Sequence, residues 1–261
     1  LQMSKPLIPA QRREKIQEYL AVQQIARTAD LMELLEASEA TVRRDLEWLE
    51  QKGILERTHG GAIFNQRVIF EQEYQLRLKN HPDEKKVIGE FAATLIDEGD
   101  IVFVNSGTTA TQVLQHIPRN PRITVFTNNA SALVDIGDPG FSLNLTGGEF
   151  QARSNSLSGR FALDNLNLVF ANKAILGVDG ISLKHGLTVP TNPEAEVVRK
   201  MLERTKGQVI IVSDHSKWGA VSNFHVANID AMDKLVTDTG FSKQAKKELS
   251  DYSIEVLLAN G

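Results

Sequence analysis

Cysteine is absent from the 261 residues, which excludes disulfide staples, thiolate zinc sites and thiol catalysis. No apolar run approaches the ~18 residues that a membrane span needs. No basic segment followed by an apolar stretch and a small-residue cleavage site marks a signal peptide. The expectation is therefore a cytoplasmic protein with no membrane partner. Nor is there an excess of positive charge. The 29 basic and 33 acidic residues leave a net charge of −4, which argues against a protein that coats nucleic acid broadly but not against one that reads a specific DNA site. The 6 histidines are scattered without the spacing of metal ligands, so neither a metal nor a cofactor is called for. What is present is ordinary globular composition, 41% apolar and 24% charged, in a chain long enough for one large or two unequal domains.

The first 65 residues read as a small helical bundle followed by a wing. Ile16, Tyr19 and Leu20 recur at helical spacing after Pro9. Leu31, Leu34 and Leu35 repeat the pattern, with Thr28 as the expected N-cap. Ser38 is placed to cap a third helix running to Lys52, and Gly53 to stop it. At 100° per residue Val42, Leu46 and Leu49 form one narrow stripe that must face the other helices. Ala40, Thr41 and Arg44 then project outward, Arg43 lies on the flank, and Asp45 sits at the edge of the core. After Gly53, two short strands are expected around a turn at Thr58 to Gly61. This is the layout of a winged helix-turn-helix, whose third helix enters the major groove while the wing touches backbone. The candidate DNA-binding residues are Ser38, Glu39, Ala40, Thr41, Arg43, Arg44, Arg57, His59 and Gly60. Nine basic and ten acidic residues balance almost evenly over 1–65, so the attraction must come from a local cluster. Arg44 is favoured for base readout and Arg43 for a phosphate.

Residues 66–81 turn polar, with Phe70, Tyr74 and Leu78 at helical spacing, and are expected to connect two domains. From 82 to 261 amphipathic helices alternate with short apolar strands such as IVFV, ITVF, KAILGV and QVIIV. That alternation implies an α/β domain with a mostly parallel sheet of about six or more strands, buried on both faces. Ligands of such sheets bind beyond the carboxyl ends of the strands. The loops there hold Ser106, Gly107, Thr108 and Thr109 at a helix start suited to phosphate, then Thr127 and Asn128, Gly147 and Gly148, Arg153, Asp179, Glu194 and Lys217.

The run SEATVRRDLEWLEQKGILERTHGGAI resembles the signature of the DeoR-type family of bacterial transcriptional regulators. Ser38, Thr41, Arg43, Arg44, Asp45, Leu46, Leu49, Gly53, Arg57, Gly60 and Gly61 match it one by one. The resemblance extends from about Gln11 to Leu258 and implies a DNA-binding regulator, most simply a repressor, with a sensor domain. The family usually places Asp first in its Asp-x-Gly-Thr-Thr loop, where this chain has Asn105. The second half is also similar, more distantly, to ribose-5-phosphate isomerase. Its order of motifs is kept in Ser106 to Thr109, Asp179-Gly180, Gly186-Leu187-Thr188 with Glu194, and Asp214 to Lys217. A phosphorylated sugar effector is thereby implied. The isomerase's acidic motif shrinks here to DGIS, leaving its acid/base pair incomplete.

Plainer readings stand beside these. Lys217 also fits a surface lysine, Glu194 the positive end of a helix, Asp179 a turn, Arg153 a solvated loop cation, and Trp48 and Trp218 packing. His59 and His215 read as local hydrogen-bonding residues. One short recognition helix rarely binds tightly enough alone, so a homodimer or a tetramer on double-stranded operator DNA is expected. A sugar-phosphate isomerase with an accessory helical domain, and a protein-interaction module, are the competing classes.

Overall fold

A computed structural model describes all residues except 1–6, 24, 52–54, 59, 65–73, 75 and 261, and leaves the side chains of 21, 22, 56, 63 and 64 undescribed. The expected stop at Gly53, His59 in the turn and Phe70 in the connecting segment lie outside the described residues. The chain divides into two compact units, Leu1–Glu73 and Tyr74–Gly261.

The first unit contains α1 (Pro9–Gln23), β1 (Ile25–Arg27), α2 (Thr28–Leu35), α3 (Glu39–Gln51), β2 (Leu55–Thr58) and β3 (Gly61–Phe64). Ile16 and Leu20 of α1, Leu31 and Leu35 of α2, and Val42, Leu46 and Leu49 of α3 make one core. The strands form an antiparallel sheet in the order β1-β3-β2. β1 has no counterpart in the sequence reading, because three residues are too few to show a period. It also displaces the expected cap of α2: Arg27 is the N-cap residue, and the Thr28 hydroxyl donates to the Gly60 carbonyl at 3.2 Å. Gly61 is required by this closeness, since a Cβ there would lie 1.9 Å from the Ala26 carbonyl oxygen.

In the second unit, residues 76–79 are helical and Tyr74 is buried, so 74–81 of the expected connecting segment belongs to this unit. There follow α4 (Pro82–Ala93), β4 (Ile101–Val104), α5 (Thr108–His116), β5 (Thr124–Thr127), α6 (Ala132–Ile136), β6 (Ser142–Leu145), β7 (Glu149–Gln151), β8 (Ser156–Ser158) and α7 (Gly159–Asn167). The chain continues through β9 (Ala171–Gly177), β10 (Gly180–Ser182), β11 (Gly186–Val189), α8 (Asn192–Glu203), β12 (Thr205–Val212), β13 (Phe224–Ala227), β14 (Lys234–Asp238), α9 (Lys243–Ser250) and β15 (Glu255–Ala259). Seven strands form one sheet in the order β15-β14-β12-β9-β4-β5-β6, parallel at every pairing. Strands such as β9 and β12 are apolar at consecutive positions because both faces are covered, and separate apolar clusters lie on the two sides.

Two smaller sheets, β10-β11-β13 and the hairpin β7-β8, escaped the sequence reading. Gly186-Leu187-Thr188, one of the isomerase-like motifs, lies buried in the first of them. There Thr188 accepts the Ser222 amide at 2.8 Å. From β4 the chain runs one way through β5 to β6 and later the other way through β9, β12, β14 and β15, so the order reverses between β4 and β9. Crevices of open α/β sheets form at such a reversal.

Candidate functional site

The first candidate surface is α3 and the strands that follow it. Ser38 opens the helix: its hydroxyl accepts the Thr41 amide at 3.4 Å and its carbonyl accepts the Val42 amide at 3.0 Å. With Val42, Leu46 and Leu49 buried, the opposite face presents Ser38, Glu39, Ala40, Arg43 and Arg44 to solvent, with Thr41 half-buried. The two adjacent arginines differ. Arg43 pairs with Glu39 one turn back at 2.7 Å, an exposed pair that a phosphate can replace at little cost. Arg44 is exposed and makes no hydrogen bond or ion pair among the described residues.

Arg57 on β2 is tied back to α3. Its guanidinium lies 3.0 Å from Glu47 and 3.9 Å from Glu50, and its amide donates to Glu50 at 3.1 Å. Gly60 is exposed, and its carbonyl accepts the Thr28 amide at 2.9 Å. The remaining charged residue of the motif has a different task. Asp45 is 1% exposed and accepts from Arg12 at 2.7 Å and Arg13 at 2.9 Å, which fastens α1 to α3. Arg13 also lies over the Trp48 ring at 4.2 Å.

The second candidate site is a crevice of about 140 Å³ beyond the carboxyl ends of β4, β5, β9 and β12. It brings together Ser106, Gly107, Thr108, Thr109, Asn128, Asp179, Glu194 and Lys217. α5 is held close by α4, where a Cβ on Gly89 would come within 2.4 Å of Gln112. Gly107 stands just before α5 at φ +130 with open space beside it, a conformation that side-chain-bearing residues rarely adopt. The amides of Gly107, Thr108 and Thr109 have no partner among the described residues, so three donors stand open at a helix N-terminus. The Ser106 amide, expected to join them, instead donates to the Asn128 side chain at 2.8 Å. Asn128 also donates to the Leu157 carbonyl at 3.1 Å, so it ties three loops together at the crevice edge.

Asn105 reaches across the sheet to Gly177. Its Nδ2 donates to the Gly177 carbonyl at 2.9 Å and its Oδ1 accepts the Gly177 amide at 2.7 Å. A carboxylate could accept from that amide but would repel the carbonyl, so the amide side chain suits this pairing where the family usually has Asp.

Charges of both signs line the crevice. The amide of Lys217 donates to the Asp214 carbonyl at 3.1 Å, and its ammonium makes no hydrogen bond or ion pair among the described residues. Lys85 is 5% exposed. Its ammonium is pushed below the usual lysine range by burial, against the pull of Asp214, and further by Lys217 and Arg77. Asp214 is buried and accepts the Ser216 amide at 3.1 Å. Glu194 is 7% exposed, and its Oε1 has no hydrogen-bond partner among the described residues. Burial and then the nearby Asp179 raise its pKa above the ordinary 4.5. Glu194 stands in the first turn of α8, where a carboxylate favours the helix end, with its amide donating to the Thr191 hydroxyl at 3.4 Å, and its side chain also lines the crevice.

Four of the expected effector residues are not among those lining the crevice, although the Arg153 carbonyl accepts from the lining residue Arg77 at 3.0 Å. Thr127 is fully buried and its hydroxyl accepts the Asn129 amide at 3.1 Å. Gly147 and Gly148 shape the approach to β7, and a Cβ on Gly148 would lie 2.2 Å from the Ser158 carbonyl oxygen. Arg153 is exposed beside the buried Ser154 that lines the crevice, and its charge acts on Glu194. Conversely, the sequence reading passed over Arg77, Asn80, His81 and Lys85, all lining residues. Lys85 had a legible signal. It occupies the buried face of α4 with Ile88, Gly89 and Ala92, so a lysine stands in an apolar stripe at helical spacing.

Residues 12–68 match the model of the DeoR-like helix-turn-helix domain, and residues 80–239 match that of the DeoR C-terminal sensor domain. The HTH-type transcriptional repressor GlcR of Bacillus subtilis is 36% identical, over 88% of this chain and 89% of GlcR. The uncharacterized HTH-type transcriptional regulator YulB of the same organism is 31% identical over 96% of each chain. Among solved structures, the full-length sorbitol operon regulator SorC from Klebsiella pneumoniae aligns over 93% of this chain and 99% of its own, at 12% identity and a TM-score of 0.41. Both matched models describe domains of regulators, which goes against the isomerase class. The chain belongs to the DeoR family of transcriptional regulators and carries both its helix-turn-helix and its sensor domain.

Proposed function

We propose that the protein represses genes of carbohydrate metabolism, and that its sensor crevice binds a phosphorylated sugar that changes operator affinity. The observation that carries this reading is that one crevice is lined by the start of α5, by Lys217 and by Glu194 with an orphaned carboxyl oxygen. Three open amides and Lys217 suit a phosphate. The unpartnered Glu194 oxygen suits sugar hydroxyls. In this reading Glu194 and Asp179 hold hydroxyls, with Asp179 lying 3.7 Å from Arg77.

On DNA, Arg44 reads base edges, Arg43 exchanges Glu39 for a phosphate, and Ser38 and Thr41 contact backbone or base edges at the start of the helix. Two or four copies supply paired recognition helices. Ligand binding orders the loops after β4, β5, β9 and β12. A coupling of ~1 to 3 kcal/mol then changes operator affinity about 5- to 150-fold.

The test is recovery of genomic fragments bound by the purified chain, with and without a panel of pentose and hexose phosphates. Enrichment of one repeated sequence that a panel member alters supports the reading. Recovery without any common sequence would overturn the DNA half, and indifference to every phosphate would overturn the sensor half.

A further inference from the structure

We propose that Arg77 is a ligand-contacting residue of the sensor crevice, and that the segment 76–81 is one of the crevice walls, so that ligand occupancy acts directly on the chain leading to the DNA-binding unit. This rests on the reading of the crevice as a sugar-phosphate site, and it adds a residue and a route that the helix-turn-helix and sensor motifs do not contain.

Arg77, Asn80 and His81 line the same crevice as the α5 amides and Lys217. The Arg77 guanidinium is only partly satisfied. Its Nη2 donates to the Arg153 carbonyl at 3.0 Å and its Nη1 lies 3.7 Å from Asp179. Its Nε is buried with no partner. A buried donor without an acceptor is costly and uncommon in folded proteins. Glu194 Oε1 is a buried acceptor without a donor, lining the same crevice. Two orphans of opposite sense call for a ligand that carries both acceptor oxygens and hydroxyl donors, which a phosphorylated polyol does.

The segment is also fixed from below. The Lys85 ammonium donates to the Asn80 carbonyl at 2.5 Å and to the Arg77 carbonyl. The same ammonium feels Asp214 and Lys217. An anion arriving beside Lys217 therefore meets the group that holds 76–81 in place, while its oxygens reach Arg77 on that segment. His81 adds a third attachment, with its ring 5.1 Å from that of His215. In sequence, 76–81 stands between the helix-turn-helix and α4.

The test uses the full chain, as wild type, Arg77→Gln, Arg77→Lys and Lys217→Ala. Each is titrated calorimetrically with the same panel of pentose and hexose phosphates and with orthophosphate. Hydrogen exchange of the 76–81 amides is followed with and without the tightest panel member. Arg77→Gln is expected to weaken binding of that member about 10- to 100-fold, as for loss of a hydrogen bond to a charged group. Arg77→Lys is expected to weaken it similarly, because lysine keeps the charge without the planar fork. It carries the test if the Gln variant fails to fold. Bound ligand should slow exchange across 76–81. Wild-type affinity in a folded Arg77 variant, or exchange at 76–81 that ignores saturating ligand, overturns the proposal. Binding lost in Lys217→Ala but intact in both Arg77 variants would leave the sugar-phosphate reading standing without Arg77. No binding of any panel member by wild type would end both.

Discussion

Replacing Asp45 with Asn separates the architecture of the helix-turn-helix from its contact surface. Asp45 is buried and accepts one hydrogen bond each from Arg12 and Arg13, whose side chains are 17% and 24% exposed. Breaking one side of a buried charge pair costs about 3 to 5 kcal/mol. Because both arginines keep some access to water, the lower end applies, about 3 kcal/mol. A unit of this size has on the order of 3 to 10 kcal/mol of stability in all, and 1 kcal/mol shifts the melting temperature of such a domain by about 4 to 8 °C. Asp45→Asn is therefore expected to lower the melting of the first unit by about 12 to 24 °C. The two tryptophans divide between the units, Trp48 in the first and Trp218 in the second, so single-tryptophan variants followed by fluorescence report each transition separately. Operator binding should fall at temperatures where the Trp48 transition has passed, while the Trp218 transition and phosphate binding stay unchanged. Loss of operator binding with an unshifted Trp48 transition would refute the reasoning, since Asp45 would then act at the DNA and not between α1 and α3.

Arg44→Ala should abolish specific binding in a gel-shift titration, whereas Arg43→Ala should weaken all sequences alike and reduce the salt slope by about one. Equal effects of the two would contradict the assignment. Lys217→Ala is expected to bind operator normally in the absence of ligand and to lose the response to phosphate, measured in the same titration. Glu194→Gln tests the buried carboxyl by pH. Its pKa is raised in the folded state, so the wild type binds that proton more tightly folded than unfolded and loses stability as pH rises through the folded value. The Gln variant should accordingly melt higher than wild type at neutral pH, with the gap closing below the ordinary 4.5. A gap independent of pH would mean that folding does not raise the Glu194 pKa. Asn105→Asp should lower the stability of the second unit by about 1 to 3 kcal/mol through the unpaired Gly177 carbonyl, read from urea midpoints. Unchanged stability would show the pairing with Gly177 to be dispensable.

Much of the fold was legible because its signals are periodic. The stripe Val42, Leu46 and Leu49 fixed which face of α3 is buried, and the apolar strands β4, β9 and β12 announced a parallel sheet covered on both sides. What escaped was set by packing. β1 is a three-residue strand, β10 and β11 are strands of three and four residues in a tight hairpin, and β11 pairs with β13 only across the intervening α8 and β12. Within the crevice, strand-end loops pointed to Ser106 through Thr109, Asp179 and Lys217 by a general rule of parallel sheets. Thr127, Gly147 and Gly148, named by the same rule, are not among the residues lining the crevice. Arg77 and His81 carried no motif at all. They join the crevice because 76–81 folds as part of the second unit, which a polar connecting stretch does not reveal.

The central claim is that a phosphate-bearing sugar in the second unit's crevice changes DNA binding by the first. The measurement that meets it most directly is operator affinity of the full chain, titrated with a sugar phosphate, with the same sugar unphosphorylated, and in Lys217→Ala. The account predicts a shift of about 5- to 150-fold for at least one phosphorylated member of the panel. It predicts no shift for the parent sugar and none in the Lys217 variant. An equal response to sugar and sugar phosphate, or a full response without Lys217, would contradict it.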